Sequence, residues 1–274
     1  MHELLQQGKI PVANVLGTGV HAVNVPSAIE LIRSAIQFRR KGYVCVTGVH
    51  GVMEAQRQRG FREAISRAML VVPDGMPVVW IGRWQGHRNM RRVFGPDLMW
   101  EFCRQTASAG YTHFLYGGKP GIAEELATTL RRRVPDLRIV GTDTPPFRPP
   151  SARERVSLRQ RLEKANPDVI WVGLSTPKQE LFMAENISEL NCRVMVGVGA
   201  AFDYHTGKIK DSPGWVKNAG LQWLHRLYQE PARLWKRYLV NNSGFVALCA
   251  LQCLGLRRYE LDETQDKVRG AARW

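Results

Sequence analysis

Residues 168–190 read DVIWVGLSTPKQELFMAENISEL, and this stretch decides the fold class. Residues 168–173 (DVIWVG) form a short, apolar, β-branched run, the pattern of a strand covered on both faces. Residues 178–190 then read as a helix, so the unit is strand, turn, helix. Working outward, similar runs occur at 43–47 (YVCVT), 68–72 (AMLVV), 112–116 (THFLY), 137–141 (LRIVG) and 193–198 (RVMVGV). Helix-like segments fall at 28–40, 52–67, 97–109, 120–133 and 152–164. The first of these opens with Ser27 and Glu30 at capping-box spacing and carries Ile29, Ile32 and Ile36 on one face. Alternating strands and helices predict an α/β fold: a mostly parallel, doubly wound, Rossmann-like sheet with helices on both faces. Residues 142–151 (TDTPPFRPPS) are too proline-rich for either element and read as a surface loop.

The chain of 274 residues, 44% hydrophobic, is large enough for a substantial core and excludes collagen-like or disordered classes. Its five cysteines (45, 103, 192, 249, 253) are odd in number and show no C-x-x-C spacing, which speaks against a disulfide framework and for a reducing cytoplasm. The opening residues MHELLQQGKI lack the apolar core of a secretory signal, and no run of about 20 apolar residues is present to span a bilayer. The formal charge of +15 implies a polyanionic partner: nucleic acid, an anionic membrane surface or a phosphorylated substrate.

After about residue 200 the alternation stops. Between 205 and 245 lie Lys208, Lys210, Lys217, Arg226, Arg233, Lys236 and Arg237, against only Asp211 and Glu230. An apolar stretch, Gly244–Leu256, follows. We therefore expect residues 1–200 to form an α/β core and 201–274 a helical, basic and aromatic appendage. Gly244–Leu256 would be about 20 Å long as a helix, short for a bilayer span. Lys236, Arg237, Arg257 and Arg258 flank it, with Trp235, Tyr238 and Tyr259 at its margins. These features suit a helix lying on an anionic membrane, removable at 241–274 without loss of the fold; packing in the core or against another subunit is the alternative.

In open parallel sheets ligands bind beyond the carboxyl ends of the strands, so the residues following each strand are site candidates. Gly117-Gly118-Lys119-Pro120-Gly121 joins backbone freedom, a positive charge and a helix start, which suits a phosphate group and equally an ordinary tight turn. It fits neither a Walker loop nor G-x-G-x-x-G. Asp74, just past the second strand, has a carboxylate suited to general-base work or to a simple Asp-Gly turn. Gln179 offers donor and acceptor together, or else caps its helix. The histidines lack metal-ligand spacing and no D-x-D occurs, so no metal site is expected and diphosphate charge would fall to N–H groups and basic side chains.

Taken together, these motifs occur in a recognisable order. Asp74-Gly75-Met76-Pro77, Gly95-Pro96-Asp97-Leu98, Gly117–Gly121 and Gly173-Leu174-Ser175-Thr176-Pro177-Lys178-Gln179-Glu180 come first. Gly197–Asp203, Gly220-Leu221-Gln222-Trp223 and Glu230–Tyr238 follow. The set resembles the bacterial WecG/TagA/CpsF family of glycosyltransferases over residues 12 to 240. The resemblance implies inverting, metal-independent transfer from a UDP-sugar, as substrate and not cofactor, to a sugar on undecaprenyl diphosphate at the inner face of the cytoplasmic membrane. It implies Asp74 as general base, with Gln179 and Thr47 as catalytic companions. Gly117, Gly118, Lys119, Asp143, Lys178, Asp203, Arg226, Arg233 and Arg237 become substrate-binding candidates, the three arginines closing over the diphosphate.

The sequence departs from the family pattern at Val49, where asparagine is usual, at Asp211-Ser212-Pro213 in place of Arg-Ala-Pro, and at Gln222 in place of glutamate. These departures bear on which sugar is used. A homo-oligomer is left open. The rivals are a nucleic-acid-binding protein using the basic C-terminal region and a nicotinamide-dependent enzyme. The clustering of bases beside an apolar segment disfavours the first, and the missing G-x-G-x-x-G the second.

Overall fold

The computed structural model describes residues 10–261; the opening segment read for a secretory signal lies outside them up to Lys9. Eight strands are present among these residues: β1 (Val12–Val15), β2 (Thr18–His21), β3 (Gly42–Thr47), β4 (Leu70–Pro73), β5 (Thr112–Gly117), β6 (Arg138–Asp143), β7 (Val169–Gly173) and β8 (Val194–Gly197). The last six form one parallel sheet in the order β4-β3-β8-β7-β5-β6, flanked by helices. These are the six strands read from the sequence, each within two residues. Register follows apolar pairing, with Leu115 opposite Trp171 and Trp171 opposite Val196.

Three features were not expected. β1 and β2 pair as an antiparallel hairpin around Leu16 and Gly17, both at positive φ. The segment 52–67 is two helices, Val49–Arg57 and Arg59–Ser66, broken where Gln58 takes extended backbone. A helix, Met76–Trp84, begins directly after Gly75, where the sequence reading named no helix.

Contacts divide the described chain into two compact units, and the compositional boundary near residue 200 is a different kind of division. The first unit comprises residues up to Ala28, Cys45–Phe94 and those from Asp211 onward. In it, the long helix Pro231–Cys253 packs on Val49–Arg57, burying Leu234, Asn241, Phe245 and Cys249. The Asn241 amide hydrogen-bonds the His50 ring at 3.0 Å. In its last turn, Gln252 accepts from Leu16 N–H (3.1 Å) and donates to the Asn14 carbonyl (2.9 Å), and Asn14 donates to the Tyr259 carbonyl (2.7 Å). Gly244–Leu256 therefore has two faces: one sealed into this unit, the other carrying exposed Val246, Leu254 and Leu256. Among the described residues no helix is long and apolar enough to cross a membrane.

The second unit, Ile29–Val44 and Gly95–Lys210, centres on β5, β7 and β8. Trp171, Phe102, Phe114 and Phe202 are fully buried there, with Phe102 edge-on to Trp171 at 5.6 Å. Trp171 Nε1 donates to His113 Nδ1 at 3.1 Å, which fixes the neutral ring with its proton on Nε2. Burial lowers the His113 pKa to about 4, with the nearby Asp168 carboxylate pulling the other way. Since the unfolded ring titrates near 6.5, the unfolded chain binds this proton more readily. The contribution is therefore complete above about pH 6.5 and is lost as pH falls toward 4, amounting to ~3 kcal/mol. We expect the melting temperature to fall between pH 7.5 and 5, and His113→Gln to flatten that slope; an unchanged slope in the variant would refute the assignment. All five cysteines are free thiols, and burial raises the pKa of Cys192 to about 12.

Candidate active site

In the first unit, β3 and β4 deliver Thr47 and Asp74 to adjacent strand ends. The Asp74 N–H donates to the Thr47 carbonyl at 2.9 Å, fixing the two backbones together. Gly48 is required by this approach: a Cβ there would stand 2.6 Å from the Asp74 carbonyl oxygen. Asp74 is half-buried, and Gly75, at φ 93°, turns the chain from β4 into the Met76–Trp84 helix. The Thr47 side chain is buried, and its hydroxyl has no hydrogen-bond partner among the described residues. A buried hydroxyl without a partner costs folding free energy, and a ligand polar group could remove that cost.

The three arginines stand on two helices of the C-terminal region, Arg226 on Gln222–Gln229 and Arg233 and Arg237 on Pro231–Cys253. Arg226 and Arg233 converge on the Glu230 carboxylate, at 2.7 and 2.5 Å. Burial pushes the Glu230 pKa up, but these two guanidinium groups outweigh it and hold it below the usual carboxylate range. Arg237 instead lies over the Tyr238 ring, 5.4 Å from its centroid. The sequence reading did not single out Arg92, whose guanidinium bonds the Gln222 side-chain oxygen and lies 4.8 Å from the centre of the Phe94 ring. The only sequence signal toward that contact was the glutamine at 222.

In the second unit, the candidates sit where β5, β6, β7 and β8 end. Gly117 has φ 126°, and a Cβ there would stand 2.6 Å from the Gly173 carbonyl oxygen. Gly118 N–H donates to that same oxygen at 3.0 Å, so the turn is pinned to β7 before Lys119-Pro120-Gly121 leads into the Ile122–Arg133 helix. Lys119 is exposed. Asp143 closes β6 and pairs with Arg161 at 2.7 Å; burial pushes its pKa up although Arg161 opposes this. Lys178 is the first residue of the Lys178–Asn186 helix, and Asp203 lies half-buried in the short Ala201–His205 helix.

Gln179 is 2% exposed, which a solvent-facing helix cap would not be. Its side-chain oxygen accepts from Gly199 N–H at 3.0 Å, just past β8, and its amide nitrogen donates to Glu180 Oε1 at 3.0 Å. Thr47 and Asp74 are thus brought together in one unit, and Gln179 is joined to Gly199 and Glu180 in the other. Glu180 was read only as part of a motif. Among the described residues, no three His, Cys, Asp or Glu side chains cluster as a metal site.

Apart from the three arginines, the candidate residues thus follow the strand ends of a parallel α/β fold, a placement shared by many enzymes that bind nucleotides. Residues 13–259 match the glycosyl transferase WecG/TagA/CpsF family, and the chain belongs to that family. It is 26% identical over 224 residues to an N-acetylglucosaminyldiphosphoundecaprenol N-acetyl-beta-D-mannosaminyltransferase of Bacillus subtilis (strain 168), covering 79% of this chain and 85% of the relative.

Proposed function

We propose that this glycosyltransferase moves a sugar from a UDP-sugar to a saccharide carried on undecaprenyl diphosphate, in the synthesis of a bacterial surface polysaccharide. The observation carrying the reading is the Thr47–Asp74 junction, in which a half-buried aspartate is tied through its backbone to a residue whose buried hydroxyl has no hydrogen-bond partner among the described residues. Asp74 takes the proton of the acceptor hydroxyl as that oxygen attacks the anomeric carbon. UDP departs from the opposite side and the anomeric configuration inverts. Negative charge growing on the diphosphate calls for donors fixed in advance, a role that suits the Gly117–Lys119 turn and Arg226, Arg233 and Arg237. Gln179 and Thr47 orient the sugars, and Lys178, Asp143 and Asp203 belong to the binding set.

The relative's named acceptor is lipid-linked, which supports a place on the inner face of the cytoplasmic membrane. Exposed Trp215, Tyr228 and Trp235 among Lys217, Arg233 and Lys236 give a surface suited to anionic lipid. The test is a screen of UDP-sugars, with UDP-N-acetylmannosamine included, for UDP release that depends on an N-acetylglucosaminyl-diphospho-lipid acceptor. One donor is expected to give acceptor-dependent release that persists in EDTA. Failure of every donor would overturn the reading, while activity lost in EDTA and restored by Mn²⁺ would overturn its metal independence.

A further inference from the structure

We infer that Glu180 is a positioning residue that sets the orientation of the Gln179 amide. The inference rests on the proposed role of Gln179 and deepens it. An amide can turn over by 180° about its last side-chain bond, exchanging donor and acceptor, and in the wrong orientation it presents the wrong group to a sugar. Here both ends are held. Gly199 N–H supplies a donor to the amide oxygen, and Glu180 Oε1 supplies an acceptor to the amide nitrogen. The reversed amide would face N–H against N–H and oxygen against oxygen.

Glu180 is itself fixed. Its Oε1 accepts a second bond, from Thr176 Oγ1 at 2.8 Å, within the turn where Ser175 stands at φ 64°. The side chain is 1% exposed, and no ion pair to it occurs among the described residues. Its second oxygen, Oε2, is buried without a partner there. A first-turn glutamate that served only the helix would keep its carboxylate in water, where its charge costs least. Burial raises the pKa of this carboxyl, with the bonds from Thr176 and Gln179 opposing. A glutamine at 180 has the same shape and can keep the same accepting oxygen.

The test uses the full-length protein and the transfer assay above. Glu180→Met is expected to lower kcat by about 10²-fold through a misdirected Gln179, with donor KM changed far less. Glu180→Gln is expected to recover most of that loss. Once Gln179→Ala has been made, adding Glu180→Met should cost nothing further. Losses that multiply in the double variant, or a glutamine variant as impaired as the methionine one, would overturn the inference. If Glu180→Met does not fold, Glu180→Asp takes its place, withdrawing the carboxyl by roughly 1.5 Å.

A readout independent of turnover separates this inference from the enzymatic reading. The Gln179 side-chain amide signals, identified by their loss in Gln179→Ala, should resist exchange with solvent in the unsubstituted protein and in Glu180→Gln, but not in Glu180→Met. An amide that exchanges freely in the unsubstituted protein overturns the positioning role whatever the activity. Wild-type turnover in Gln179→Ala, with a protected amide in the unsubstituted protein, would instead remove the catalytic role of the glutamine and the consequence drawn from it.

Discussion

Asp74→Asn is expected to lower kcat by roughly 10²–10⁴-fold, the usual range for loss of a general base. Asparagine keeps the size of the side chain and the backbone N–H that binds the Thr47 carbonyl, so the junction of β3 and β4 should persist. The melting temperature and the affinity for UDP should accordingly stay near those of the unsubstituted protein. The change removes only the ability to take a proton. Near-normal turnover in this variant would refute the assignment of the base, and a large drop in melting temperature would show that the carboxylate serves the turn instead.

The second large effect concerns the C-terminal helix. Deleting residues 241–274 is expected to unfold the first unit, contrary to what a detachable membrane segment would show. The deletion removes buried Asn241, Phe245 and Cys249 and leaves the Leu16 N–H without its Gln252 partner. Emptying one buried phenylalanine site alone costs about 3–5 kcal/mol, a large share of the 5–15 kcal/mol that holds a typical domain together. The outer face can be tested separately by changing exposed Leu239, Val246 and Leu254 to serine. Such surface changes usually alter stability by less than about 0.5 kcal/mol per site. That variant should melt normally and sediment less with anionic vesicles, while the unsubstituted protein binds them more weakly at high salt. A truncated protein that melts cooperatively at the wild-type temperature would refute the structural role of the segment. Unchanged sedimentation of the serine variant would refute the membrane role.

The six strands of the parallel sheet were legible because central strands buried on both faces must be continuous apolar runs, as in Val169–Gly173. The hairpin of β1 and β2 was not, since VANV and TGVH are interrupted by Asn14, Thr18, Gly19 and His21 and give no continuous apolar run. Met76–Trp84 was hidden for another reason. Pro73 and Gly75 read as loop residues, yet one ends a strand and the other starts a helix.

By itself the sequence determined the class of fold, the six strands and where they end, and the ordered motifs that mark the family. These depend on local periodicity and on residues adjacent in the chain, both of which are written in one dimension. Only the tertiary structure decided that Asp74 is tied to Thr47, that Gln179 and Glu180 are buried rather than capping a helix in solvent, and that Gly244–Leu256 seals its inner face against distant parts of the chain. Apolar composition cannot tell a helix face that meets protein from one that meets lipid, because both are selected by the same exclusion from water. Which face is which is settled by partners such as Asn14 and Leu16, more than 200 residues away in sequence.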